Sequence, residues 1–531
     1  MEQDLPLRET LLMSESPPPT RATSAGSNLK LAAYLVALSS FLWGYGFCVL
    51  NVCIAENATG SILVDFALSD GEIELASSLV LIGAWVSALL TASMADTYGR
   101  RKVLLGNNVL FVAGALACAL ARTKGDIYIG RTIIGFACGI VTNVTPILLA
   151  EMSPTDCRGQ ITTLHQLMLT IGILGSSLLG YGLVSSVPSG WRYVNAFLGV
   201  PAVLQCMLLP WIPESPRWLL ATGADEKARA QLFRLRNPVY ETDIDVELKT
   251  ILHDMNNDKK SEPKEITFCG LWVYKRPMLI GSFLVFFQAM TGINTVMLYS
   301  SKIFHFAGVD QPIMATASVG TINVITTVAS VYLVDYCGRK ILLLISSAAM
   351  ALSLGVLSYT LLYLSDKLQG VLAVVCVLVF VAGFAIGLGA VIWHRAVPSL
   401  NANAGARVVL GELTPSAIRS RAMGVFMAIS YACNVFVATC TLGMIKALGA
   451  GHKDVEKNGI AKLYLICGLL SVLCFLFIAK WVPETKGLRG AAAYDLLAKE
   501  RAATDDDATP RSSFDDEASL LPAATPNSSL A

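Results

Sequence analysis

The chain has 531 residues, 54% of them hydrophobic and 15% charged, and its 40 Lys and Arg nearly cancel its 39 Asp and Glu. Such an apolar composition excludes an ordinary soluble domain. The near-zero net charge excludes a nucleic-acid binder held by its overall field. The 13 cysteines are scattered, several inside apolar runs (Cys138, Cys376, Cys467), with no spacing suited to a metal. They read as small packing residues, and no cofactor or metal is implied.

Taken in chain order, the first 28 residues are polar and rich in Pro, Ser and Thr. They lack the apolar core and cleavage site of a signal peptide, so the first apolar run serves as an uncleaved targeting signal. A helix needs about 20 apolar residues to cross the hydrocarbon layer. Twelve stretches qualify: 31–54, 74–95, 103–121, 128–150, 163–186, 193–212, 279–301, 314–334, 341–364, 369–393, 422–446 and 461–481. The expected fold class is an all-α membrane protein with 12 transmembrane helices. Arg100, Arg101, Lys102, Arg158, Arg339, Lys340, Arg419 and Arg421 fall in alternate short loops, which assigns those loops and both termini to the cytoplasm. The segment after the first helix holds Glu56, Asp65, Asp70 and Glu72 and no Lys or Arg. The division expected is a cytoplasmic tail over 1–30, a six-helix half over 31–212, a cytoplasmic helical linker over 213–278, a second six-helix half over 279–481 and a cytoplasmic tail over 482–531. Two amphipathic patterns, from Asp225 and from Asp245, predict helices in the linker, and the tail from about Gly490 is polar and acidic, the composition of a disordered segment.

The charged marks recur in order. Asp96, Gly99, Arg100, Arg101 and Lys102 are echoed by Asp335, Gly338, Arg339 and Lys340. Glu151, Pro154 and Arg158 are echoed by Glu412, Pro415 and Arg419, and Pro213, Glu214 and Arg217 by Pro483, Glu484 and Lys486. Paired halves are how many transporters make a central site that opens to alternate sides.

These marks, with Gly130, Arg131, His165, Gln166, Leu167, Gln288, Thr291, Gly292 and Asn294, resemble the sugar porter family of the major facilitator superfamily from about Tyr34 to Gly487. The stretch 130–167 is especially similar to facilitative glucose transporters. The resemblance implies the major facilitator fold with two six-helix halves, a small-molecule sugar as partner alongside the lipid bilayer, and transport rather than catalysis. No nucleophile–base or metal constellation suggests an enzyme.

A sugar presents hydroxyls and an apolar C–H face, so its site needs amides, which donate and accept, and an aromatic plane. Gln166, Gln288, Asn294, Asn323, Asn434 and Trp393 are the candidates inside apolar runs. Taken singly, each amide serves a neighbouring helix as readily as a ligand. The resemblance places these six, with Phe384 and Ser430, at sugar-contacting positions and gives His165 a packing role. Three departures stand out: Ala289 where a second glutamine is usual, no proline between Gly387 and Trp393, and Tyr431 in place of tryptophan. Glycines 383, 387 and 389 supply flexibility instead. The pocket suits glucose, another hexose or a polyol.

The resemblance also implies interdomain ion pairs on the inner side: Arg158 with Glu214 and Arg419 with Glu484, extended by Asp96 with Arg100 and Glu412 with Arg339, and with Glu151, Arg217 and Asp335 in the same network. An exposed pair is worth only ~0–1 kcal/mol, so such a network biases a two-state equilibrium without locking it. Proton-coupled relatives carry an aspartate in helix 1 after a Gly-Tyr pair. Here Gly44 and Tyr45 are followed by Gly46, and 31–54 holds no charged residue. That favours facilitated diffusion (uniport) of hexoses such as glucose by alternating access. The alternatives are a proton-coupled sugar or polyol symporter and a non-transporting sugar sensor.

After Trp393 the family pattern expects a glutamate five places on, whereas Glu412 lies nineteen places on. The fourteen residues from His394 to Arg407 account for the difference and carry two arginines and a proline. An Arg at a helix centre costs ~2.5–3.5 kcal/mol on insertion scales, so the segment reads as a translated intron or gene-model error, or a nonfunctional splice form, with an extramembrane loop as the rival. Asn57 begins a glycosylation sequon on the predicted outer side. Asp516 to Leu521 match an acidic dileucine sorting signal. The expected location is the plasma membrane, with an endosomal or vacuolar membrane second.

Overall fold

A computed structural model describes residues 27–56, 58–154, 157–236, 241–261, 274–364, 367–389, 414, 419–452 and 454–484. Trp393, the 394–407 segment, Glu412, Asn57 and the dileucine stretch lie outside them. Eleven of the described helices are long and apolar enough to cross a membrane. In the first half these are α1 (Ser27–Cys53), α2 (Asp70–Tyr98), α3 (Arg100–Ala119), α4 (Lys124–Met152) and α5 (Arg158–Val184). The sixth crossing is made by two short helices, α6 (Gly190–Phe197) and α7 (Gly199–Met207). Pro201 sits in the first turns of α7 and has no N–H to return to Phe197, which divides the run there.

Three helices then lie on the face that the basic loops assign to the cytoplasm: α8 (Pro216–Ala221), α9 (Asp225–Arg236) and α10 (Glu241–Ser261). Leu219, Leu220, Ala228, Leu232, Ile244, Leu248 and Leu252 form their shared core. Buried Arg236 ties them to the first half, donating to Glu247 at 2.7 Å and to the Met152 carbonyl at 2.8 Å.

The second half starts with a broken crossing, α11 (Lys275–Met290) and α12 (Ile293–Phe306), interrupted at Thr291 and Gly292, where φ is +98°. There follow α13 (Pro312–Cys337), α14 (Arg339–Tyr363), α15 (Lys367–Ile386), α16 (Arg419–Gly449) and α17 (Val455–Trp481). The helices outrun the apolar windows. For example, α2 begins at Asp70 because the Ser69 N–H and hydroxyl both bond Glu72, closing a capping box in water beyond the hydrocarbon layer.

The two halves repeat at the level of backbone angles. Gly99 between α2 and α3 has φ 90° and ψ 156°, and Gly338 between α13 and α14 has φ 90° and ψ 162°. An L side chain rarely adopts this conformation, so glycine stands at the same turn in both halves. The halves meet along α2 against α16, α5 against α13 and α1 against α12.

Candidate functional site

Between the halves lies a cavity of about 620 Å³. Gln166 from α5, Gln288 from α11, Asn294 from α12, Asn323 from α13, Phe384 from α15, and Ser430 and Asn434 from α16 all line it. Seven of the eight residues singled out for sugar contact are therefore brought to one place; the eighth, Trp393, is outside the described residues. Apolar walls come from Phe47, Ile173, Ile293 and Met427 among others.

The amides differ in what they do. Asn294 donates to Asn434 Oδ1 at 2.6 Å, pairing α12 with α16. Gln288 Nε2 donates to the Leu388 carbonyl at 3.2 Å, and Ser346 Oγ takes the Leu388 N–H at 3.2 Å. Side chains thus hold the backbone where α15 ends, beside Gly387. Gln166, Asn323 and Ser430 have no side-chain hydrogen-bond partner among the described residues, which leaves their polar atoms for a solute. His165 is pinned by Ser40 at 2.8 Å and packs on Trp43 at 5.5 Å, while facing the cavity. Tyr431 Oη reaches Thr142 Oγ1 across the halves at 3.4 Å.

The cavity lining runs from mid-membrane to the inner ends of the helices, reaching Ala150, Thr162 and Met423. The outer side is sealed. Asn51 of α1 donates to Ser300 Oγ at 2.8 Å and to the Met297 carbonyl at 3.0 Å, and accepts from Ser301 N at 3.1 Å. Glu74 Oε1 of α2 accepts from the N–H groups of Leu442 and Gly443 at 2.5 and 3.0 Å. Asp70 pairs with Lys302 and, at 2.6 Å, with Lys446. The structure is inward-facing. The sequence marked the outer acids as a group without basic neighbours; it did not reveal that Lys302 and Lys446, from the other half, complete them.

On the inner side, Arg100 bonds both Asp96 and Glu151 at 3.1 Å. The expected Arg158–Glu214 pair is not formed among the described residues. Glu214 instead accepts from the backbone N–H of Arg100, Arg101 and Ser215 at 3.0, 3.1 and 2.9 Å, and Arg158 donates to the Ser153 carbonyl at 3.5 Å. The physical reason is local: α3 begins with basic residues and unpaired N–H groups, and a carboxylate there satisfies both the donors and the helix dipole. Arg217 lies in the first turn of α8. Arg339 and Glu484 are described, but their expected partners, Glu412 and the Arg419 side chain, are not, nor is the Asp335 side chain.

One buried cation went unassigned in the sequence. Arg131 of α4 is 1% exposed and donates to the carbonyls of Gly46 at 2.8 Å, Ala76 at 3.2 Å and Phe47 at 3.5 Å. Its Gly-Arg motif was the only sequence signal for it. No disulfide joins the twelve described cysteines.

A family model described as "Sugar (and other) transporter" matches residues 32–491. The "Glucose transporter GlcP" of Staphylococcus epidermidis is 31% identical over 87% of this chain and 95% of its own length. The "Arabinose-proton symporter" of Bacillus subtilis is 29% identical over 88% of this chain and 95% of its own length. Among solved structures, a partially occluded inward-open conformation of the xylose transporter XylE from E. coli superposes with a TM-score of 0.70 at 27% identity, covering 87% of this chain and all of that one. Fold and relatives are those of transporters rather than enzymes, and the apolar spans make this a multi-pass membrane protein. The chain belongs to the family of sugar (and other) transporters, with the twelve-helix major facilitator fold.

Proposed function

We propose that this protein is a facilitative carrier of hexoses such as glucose, working by alternating access without proton coupling. The observation that supports the substrate class is the convergence of Gln166, Gln288, Asn294, Asn323, Ser430 and Asn434 with the Phe384 ring in one cavity. Its volume lies within the roughly 300–1,000 Å³ of small-molecule sites. Amides that both donate and accept match vicinal hydroxyls, and Phe384 offers a face for C–H groups.

The coupling mode rests on Arg131. Its partners are backbone carbonyls, which do not titrate. One of them belongs to Gly46, the position that follows Gly44 and Tyr45. A side chain there would start 2.9 Å from Ile134 Cγ2, inside normal contact, so a carboxylate beside the guanidinium would require Ile134 to shift. Without a buried titratable partner at that place, the solute moves down its own gradient. The inner-face charges Arg100, Glu151, Asp96 and Glu214 belong to the closing machinery of that side. The plasma membrane is the proposed location, with a glycan at Asn57 on the outer face.

Radiolabelled uptake into proteoliposomes against a panel of hexoses, pentoses and polyols tests this. The expected result is saturable hexose uptake that equilibrates and stops. Accumulation driven by an imposed pH gradient would favour the symporter, and binding without flux the sensor; either sinks the proposal.

A further inference from the structure

We propose that the acidic first turns of α2 form an ionic clasp that holds the outer face shut and sets the resting balance toward the inward-facing state, whichever sugar is carried. Asp70 and Glu74 are one turn apart on α2, so they present one edge to the second half. Asp70 grips two lysines at once: Lys302 from α12, whose side chain is 5% exposed, and Lys446 from α16. Lys302 is also 3.7 Å from Glu56, which in turn lies 3.5 Å from His305 Nε2. The neighbouring Glu72 is occupied within its own half by Lys124 at 2.8 Å. Asp70 and Glu56 thus reach the second half, while Glu72 stays within its own.

Glu74 works differently. It grips backbone. A regular helix pairs Leu442 N–H with the Ala438 carbonyl. Here Leu442 N–H carries Glu74, and the Ala438 carbonyl accepts from Tyr299 Oη at 2.5 Å. Both ends of that helical bond have a side-chain partner, one from each half. One turn below Ala438, on the same helix, is Asn434, which holds Asn294 of α12. α12 and α16 are thus tied to each other at the cavity and to α2 at the rim, and α2 holds both.

An outward swing must part α2 from α12 and α16. It strips Lys302 of Asp70 and leaves Leu442 N–H without Glu74. A paired charge with little access to water loses more when its partner leaves than an exposed one does. The inner-face pairs of Arg100 with Asp96 and Glu151 stay within the first half; the outer clasp crosses between the halves.

Thiol labelling from each face tests this without any sugar. Ser301 is buried behind the clasp and its hydroxyl has no partner among the described residues, so Ser301→Cys is a near-isosteric outer reporter; Thr162→Cys lines the inner mouth. Labelling by a membrane-impermeant maleimide is measured against the parent protein. In these backgrounds, Asp70→Asn and Glu74→Gln each raise outer labelling about five- to thirtyfold, the factor that ~1–2 kcal/mol makes in a two-state ratio, and lower inner labelling. Asp70→Asn with Lys446→Met goes no further than Asp70→Asn alone, because Asp70 is the acid that Lys446 pairs with. If Glu74→Gln does not fold, Asp70→Asn at the water edge decides. Outer labelling within about twofold of the parent, or a rise on both faces together, overturns the clasp.

Discussion

Arg131 and Gly46 are joined by a hydrogen bond of 2.8 Å between a fully buried guanidinium and a main-chain carbonyl. The pair fixes α4 to α1 in the middle of the first half, with the carbonyls of Phe47 and Ala76 completing the arrangement. A charge in this position is costly unless every donor finds an acceptor. Carbonyl acceptors keep the same charge at every pH of physiological interest. Steady-state sugar inside proteoliposomes is therefore expected to equal that outside, with or without a pH gradient. Accumulation above the external concentration contradicts this. Arg131→Ala removes the guanidinium's bonds to three carbonyls and leaves a void between α4, α1 and α2, and is expected to cost about 3 kcal/mol or more, read as a large fall in melting temperature in detergent.

Gln166 and Gln288 face the same cavity with different commitments. Gln166 has no protein partner among the described residues. Gln166→Ala is expected to raise the half-saturation concentration about five- to 150-fold, the effect of ~1–3 kcal/mol, with the melting temperature unchanged. Gln288 holds the Leu388 carbonyl. Gln288→Ala is expected to weaken binding and also to lower thermal stability by about 1 kcal/mol. Paired uptake and melting measurements separate the two. Equal stability loss in both variants would contradict this division.

Glu214 closes the start of α3 through the Arg100 and Arg101 N–H groups. Glu214→Ala is expected to destabilise by ~2 kcal/mol, as for a lost buried cap. Glu214→Gln keeps an acceptor and is expected to lose less. Arg158→Ala leaves the cap in place and is expected to spare most of this stability. A thermal series on the three variants checks the order. Matching losses in Arg158→Ala and Glu214→Ala would restore the direct pair read from the sequence.

Deletion of residues 394–407 brings Trp393 to five places before the glutamate at 412. The shortened protein is expected to insert and transport better than the full chain, because the residue pattern sets the two arginines near the middle of the tenth apolar run, and an Arg at a helix centre costs ~2.5–3.5 kcal/mol. Expression and uptake of both forms side by side measure it. Lower uptake by the shortened form would identify the segment as a working loop.

Residue order by itself determined the class of molecule, the number of crossings and the pairing of the two halves. Those are local properties: a run of apolar residues long enough for the bilayer, and a glycine followed by arginine at the matching positive-φ turn of each half, Gly99 and Gly338. It also nominated the amides, since an amide in an apolar run is conspicuous wherever it points. Tertiary structure decided the partners. Glu214 took main-chain donors over Arg158, Gln288 took a main-chain acceptor at Leu388, and Asp70 found Lys302, 232 positions away. Which of several possible partners a polar group takes depends on which helices are pressed together in a given state, and no spacing along the chain encodes that.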